Sequence, residues 1–291
     1  MGRRSILFTP GDRPEMLRKS PTAGADVIVF DLEDAVAPGQ KADARETVRT
    51  VLADPAFDPD CEVCVRVNAT ESAVAADLEA LLEDVDGDVR LDSVMLPKVD
   101  SPGDVRGLVD ELTRYDVSLP VFALIESAAG VLAAPEIAAV QATDALVFGA
   151  EDLSADLGAT RTEEGIEVLY ARERVVLAAA AHECLAIDTL VTDFSDETQL
   201  REDTAFSVQL GYDGKLAIHP AQVDPINAAF TPSADDLEWA QTVLEAKRTA
   251  DAEGRGVFEV DGEMIDAPLI AQAERIRSRA VAAETWPESD H

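Results

Sequence analysis

Glu126 and Asp152 each follow an apolar run. Val121 to Ile125 ends at Glu126, and Ala145 to Phe148 leads through Gly149-Ala150-Glu151 to Asp152. Two carboxylates brought to one place repel unless a cation joins them, and a hard oxygen site with few protein ligands suits Mg2+, with Mn2+ as the near substitute. The competing reading makes Glu126 a helix cap and Asp152 a solvated loop acid. Arg66 alternates with Val63, Val65 and Val67. An inward arginine there needs an anionic partner, which a substrate carboxylate or a developing enolate would supply. A structural pair with Asp31, Glu33 or Asp34, which close the run Val27 to Phe30, would serve as well. Those three acids also suit a place behind a metal, holding its waters. Lys98 closes Val94-Met95-Leu96-Pro97.

Short apolar runs that end in charge imply strands whose carboxyl ends converge on one polar mouth, the place where parallel α/β barrels do their chemistry. Eight strand-then-helix units follow one another. The strand cores are 5–9, 26–30, 62–67, 93–96, 121–125, 145–148, 185–190 and 216–218, separated by stretches such as 73–82, 104–112 and 166–181 with apolar residues at helical spacing. Strict β–α alternation predicts a parallel sheet, and eight repeats predict its closure into a TIM (β/α)8 barrel over residues 1–232. A C-terminal extension, 233–291, reads as a helix over 234–252, a hairpin across Asp261-Gly262 and a final helix over 269–283. Such a piece can cap the mouth or reach a neighbouring subunit.

The 58 acidic and 24 basic residues give a formal charge of -34, a field that repels nucleic acid and anionic membranes. With 47% hydrophobic residues and clear periodicity, the chain is not a disordered acidic polymer. The excess predicts adaptation to high salt, where a Debye length of about 3 Å at 1 M screens self-repulsion. Lysine is scarce, so Lys41, Lys98 and Lys215, all beside strand ends, stand out. Three cysteines make no disulfide framework and fit a reducing cytoplasm. Cys61 and Cys64 lie three apart on a strand, hence on opposite faces, which argues against a shared metal. No apolar segment approaches a transmembrane helix or a signal sequence. A Gly-x-Ser-x-Gly elbow, a Gly-x-Gly-x-x-Gly cradle and a Walker loop are all absent. His219, in Ala217-Ile218-His219-Pro220, reads as a turn residue.

Taken together, Leu7-Phe8-Thr9-Pro10-Gly11-Asp12-Arg13-Pro14, Phe30-Asp31-Leu32-Glu33-Asp34-Ala35-Val36, Lys41 with Ala44-Arg45, Arg66-Val67-Asn68 and Leu96-Pro97-Lys98 resemble the citrate lyase β-subunit-like acyl-CoA lyases. Ile125-Glu126, Phe148-Gly149-Ala150-Glu151-Asp152-Leu153, Tyr170-Ala171-Arg172 and Gly214 to Pro220 continue the match in order. The resemblance covers nearly the whole chain. It implies a TIM barrel, usually a homotrimer or a dimer of trimers, that uses Mg2+ to make or break a carbon–carbon bond in a 3-hydroxyacyl-CoA. It also implies Glu126 and Asp152 as metal ligands and Arg66 as the arginine that binds enolate and carboxylate. Arg13, Lys41, Lys98 and Lys215 fall where coenzyme A or substrate contacts are expected. Met264-Ile265-Asp266 resembles a segment that, in the malyl-CoA and citramalyl-CoA lyase branch, brings an aspartate over a neighbouring subunit's site. Asp266, two residues before Pro268, also looks like an N-cap.

The expected reaction is cleavage of β-methylmalyl-CoA or malyl-CoA to glyoxylate plus propionyl-CoA or acetyl-CoA, with Asp266 exchanging the α-proton. Alternatives are citramalyl-CoA cleavage to pyruvate, a citryl-CoA lyase β subunit, and a malyl-CoA thioesterase. One methyl on the keto acid separates the first two products, a difference of about 1–3 kcal/mol in a pocket.

Overall fold

The computed structural model describes residues 2–83 and 89–287. Eight strands form a closed, wholly parallel barrel in sequence order: β1 Ser5–Pro10, β2 Val27–Asp31, β3 Glu62–Arg66, β4 Ser93–Leu96, β5 Val121–Ile125, β6 Thr143–Phe148, β7 Leu185–Asp188 and β8 Gly214–Ala217. The outer helices are α1 Pro14–Lys19, α2 Lys41–Leu52, α3 Glu71–Leu82, α4 Pro102–Thr113, α5 Ala128–Ala138, α6 Ala150–Leu157, α7 Leu169–Ala181, α8 Glu197–Leu210 and α9 Val223–Phe230. The TIM barrel expected from the alternation is therefore present. The eighth strand starts two residues ahead of its expected 216, and the seventh stops at Asp188 rather than 190.

Strand side chains alternate with period two, and that parity decides what fills the barrel. Ile6, Val27, Val29, Cys64, Met95, Phe122, Leu124, Ala145, Val147, Ile187 and Leu216 form the inner core, with Phe8 against it. One step below on the same parity, Glu62 and Ser93 face in and bond to each other, and Arg3 bonds Glu62 and Asp144 and stacks over Phe122. This charged layer closes the amino-terminal end of the barrel. One step above the core, the same parity delivers Asp31, Arg66, Glu126, Gly149, Thr189 and Ile218 to the carboxyl-terminal mouth. Strands thus run from one polar layer through an apolar middle to another.

Arg3–Asn227 forms one compact unit; the chain from Ala228 onward, with the first residues, forms a second. That division falls within α9, ahead of the expected break after 232; residues 288–291 of the expected extension lie outside the described residues. The second unit holds α10 Ala234–Ala252, the antiparallel pair β9 Phe258–Val260 and β10 Glu263–Ile265, and α11 Ala267–Ala282. Ser233 and Asp236 cap α10 reciprocally. Asp261 (φ 50°) and Gly262 (φ 85°) are both left-handed, the requirement of the two-residue hairpin turn read from the sequence. Ala240, Val243, Phe258, Val260, Ile265 and Ala273 give this unit its own core.

Candidate active site at the barrel mouth

A cavity of about 260 Å³ opens at the mouth, lined by Phe8, Asp31, Asp34, Arg66, Leu124, Glu126, Gly149, Glu151, Asp152, Thr189, Leu216 and Ile218 among others. Asp31 organises one wall. Its Oδ1 accepts from Arg66 Nε (2.7 Å) and from the Glu33 backbone N–H (2.8 Å); its Oδ2 accepts from Arg66 Nη2 (2.6 Å) and from Ala35 N–H (3.0 Å). Arg66 is thus held in a two-pronged fork, over the ring of Phe8 at 4.9 Å, with Nη1 3.2 Å from Glu33 Oε2. The pair with Asp31 and the cavity-lining position exist together, so the two readings of Arg66 do not compete. A guanidinium has five N–H groups. Asp31 takes two and Glu33 faces a third, which leaves one on each terminal nitrogen free of these carboxylates.

Glu126, at the end of β5, lines the same cavity and is only 6% exposed. Its Oε1 accepts the Lys98 backbone N–H at 2.8 Å. A Cβ on Gly149 would stand 2.6 Å from Glu126 Cβ and 2.8 Å from Oε2, so glycine is what lets the carboxylate lie across β6. Asp152 sits in the first turn of α6, whose leading N–H, on Ala150, donates to Thr189 Oγ1 at 3.1 Å. Burial, and then the charge of Asp152, push Glu126 up to about 8 even though the Lys98 N–H favours its ionised form. A buried carboxylate raised this way beside a second acid is a donor set that a hard dication would discharge. Among the described residues, no set of three His, Cys, Asp or Glu side chains could enclose a metal. Two carboxylates are what Mg2+ characteristically takes from a protein, with substrate or water filling the remaining positions.

A model of the HpcH/HpaI aldolase/citrate lyase family matches residues 4–220, the barrel that carries this mouth. The chain belongs to that family. A citrate lyase subunit beta-like protein of Deinococcus radiodurans is 40% identical, over 94% of this chain and 96% of that one. The mitochondrial citramalyl-CoA lyase of Homo sapiens is 34% identical, over 94% of this chain and 84% of its own. A solved structure of CitE from Mycobacterium tuberculosis, in complex with magnesium, acetoacetate and coenzyme A, superposes with a TM-score of 0.79 at 36% identity, covering 96% of this chain and 98% of that one.

The family's expected contacts are not all at the mouth. Lys215 is the clear correction. Leu216 points into the barrel, so Lys215 points out of it, fully buried, with its Nζ on Asp203 and 3.4 Å from Asp188. Arg172 and Ser207 complete that cluster between the sheet and α7 and α8. Burial alone would raise the Asp188 carboxyl, but Lys215 and Arg172 outweigh it and hold it below its ordinary value. An amine so enclosed has no route to coenzyme A. Lys41 also works internally: its Nζ donates to the Leu32 and Glu33 carbonyls (2.7 and 2.6 Å) and pins the loop after β2. Arg13 is exposed in the turn after β1, 3.4 Å from Asp12. Asp34 is exposed on the cavity rim. Asp266 is exposed and caps α11, accepting from Leu269 N–H at 3.5 Å.

Lys98, expected as a substrate or coenzyme A contact, is half-exposed at the strand end. Its Nζ bonds Glu33, and its backbone serves Glu126. His219 caps a turn, accepting from Ala221 N–H at 3.1 Å. Sequence reasoning did not pick out Phe8, Gly149 or Thr189. Each lies on the inward parity of its strand, the signal that would have found them.

Proposed function

We propose that this chain is a Mg2+-dependent carbon–carbon lyase that reversibly splits a short 3-hydroxyacyl-CoA, β-methylmalyl-CoA or malyl-CoA, into glyoxylate and propionyl-CoA or acetyl-CoA. The observation that carries the reading is that Arg66, Glu126 and Asp152 line one small cavity, in a family with a magnesium- and coenzyme A-bound relative. Glu126 and Asp152 would hold the Mg2+, which when bound supplies a Lewis acid for the substrate's hydroxyl and carboxylate oxygens. Arg66, already oriented by Asp31, directs its two remaining terminal N–H groups at the thioester oxygen, where enolate charge develops as the carbon–carbon bond breaks. Phe8, Leu124 and Leu216 keep that oxygen in an apolar setting, where the cation's field is strongest.

As the hydroxyl becomes the keto oxygen its proton leaves to solvent, and the enolate carbon takes one up. Asp266, presented by a neighbouring copy in a homotrimer, would give it in the cleavage direction and remove it in condensation. This role rests on the resemblance of Met264-Ile265-Asp266 to that branch of the family. Mixing Asp266→Asn with Arg66→Ala subunits tests it: recovered activity supports a contribution between subunits, and none argues against it.

A second reading, cleavage of citramalyl-CoA to pyruvate and acetyl-CoA, is favoured by the 34% identity to the human citramalyl-CoA lyase. The two readings share every residue above. A product assay with Mg2+ on malyl-, β-methylmalyl-, citramalyl- and citryl-CoA tests both: glyoxylate supports the first and pyruvate the second. Free malate and coenzyme A without a keto acid would replace both with a thioesterase.

A further inference from the structure

Lys98 adopts a left-handed backbone conformation (φ 53°) two residues past the end of β4. A long side chain gains nothing from that region, and such a residue persists there only where its surroundings over-determine it. Here they do so from two directions. Its N–H, in the peptide just ahead of the turn, donates to Glu126 Oε1 at 2.8 Å. The next residue restores strand pairing, with Val99 N–H donating to Leu124 O at 3.2 Å. Meanwhile the side chain runs to the loop after β2, with Nζ on Glu33 Oε1 and 3.9 Å from Asp34. The other oxygen of Glu33 faces Arg66 Nη1. One residue therefore touches the end of β5 through its main chain and the end of β3, by way of Glu33, through its ammonium.

We infer that Lys98 is a positioning residue with two separable tasks: its left-handed backbone fixes the Glu126 carboxylate for the cation, and its ammonium holds Glu33 so that Arg66 stays available to substrate. Without the ammonium, Glu33 would keep only Arg66 and the Asp34 N–H as partners and draw the guanidinium's charge away from the cavity. Without the left-handed turn, the chain could not keep the Lys98 N–H on Glu126 and the Val99 N–H on Leu124 at once, and one of them would give way. This inference rests on the proposed metal-dependent lyase reading.

The two tasks are tested by substitutions that remove one at a time. Lys98→Gly and Lys98→Met lose the ammonium; Gly accepts the left-handed backbone freely and Met retains the side-chain bulk. Lys98→Val, branched at Cβ, opposes the turn itself. Mg2+ titration by calorimetry, alongside steady-state kinetics, reads the two separately. The expected result is that Lys98→Gly binds Mg2+ as wild type does, while its kcat/KM falls roughly 10–100-fold, the usual effect of removing a group behind a ligand. Lys98→Met should show the same catalytic loss, and Lys98→Arg should recover most of it. Lys98→Val, confirmed folded by circular dichroism, should lose Mg2+ affinity over the same range. Full kcat/KM in Lys98→Met would overturn the ammonium's task. Undiminished Mg2+ affinity in folded Lys98→Val, or lost affinity in Lys98→Gly, would overturn the backbone's. A wild-type protein that binds no Mg2+ would instead overturn the metal reading and this inference with it.

Discussion

The side chains at the mouth are set by contacts shorter than a residue's own width, so single substitutions should separate their roles. Arg66→Lys keeps the charge but cannot form the fork with Asp31; kcat/KM should fall while Mg2+ affinity holds, which kinetics and calorimetry together would show. Gly149→Ala should do the reverse. Its methyl would press on Glu126 at 2.6 Å and displace the carboxylate, lowering Mg2+ affinity roughly 10–100-fold in a protein that still folds. Glu126 also gives a pH signature to the metal-free protein. Its folded value, about 8, lies above the ordinary 4.5, so the folded state holds the proton more tightly than the unfolded chain does. That stabilisation is complete below the ordinary value and is lost as pH rises through about 8. In chelator, the melting temperature should drop between about pH 4.5 and about pH 8 and level off above that. Glu126→Gln should flatten the drop.

Elements determine which charges are structural. On β7 and β8, Asp188 and Lys215 lie on the outward parity, where α7 and α8 bury them with Arg172, Asp203 and Ser207. A buried ion pair costs desolvation whether or not it helps function, and breaking one side leaves the other charge stranded. Lys215→Met should therefore lower stability by about 3–5 kcal/mol in denaturant unfolding, with KM for the CoA thioester unchanged. A raised KM at unchanged stability would restore the coenzyme A role that its burial denies. The turn after β2 depends similarly on Lys41, whose amine holds two carbonyls of the segment that carries Glu33 and Asp34.

At the scale of the whole molecule, the dominant quantity is a formal charge of -34. Self-repulsion on that scale opposes the compact state and is relieved by salt. The melting temperature should rise from dilute buffer to molar KCl, and a flat response would remove the case for salt adaptation. Among the described residues, no helix is long and apolar enough to cross a membrane.

Much of this architecture was legible in the chain because it rests on local, repeating signals. Alternation of strand and helix specifies a parallel barrel, Asp261-Gly262 specifies a hairpin, and an apolar run that ends in Glu126 or Asp152 marks the carboxyl end of a strand. Rarity and resemblance mark Lys215 for the mouth, but its parity against the inward Leu216 turns it outward into the layer under α7 and α8. Other features had no local signal at all. That Asp31 holds Arg66 in a fork, that Gly149 makes room for Glu126, and that Lys98 takes a left-handed turn between Glu33 and Glu126 are decided by residues distant in sequence. Periodicity fixes which face a side chain takes. Only closure of the barrel decides which neighbour it meets there, because the partners of a hydrogen bond at the mouth come from different strands, and their distances exist only once all eight are in register.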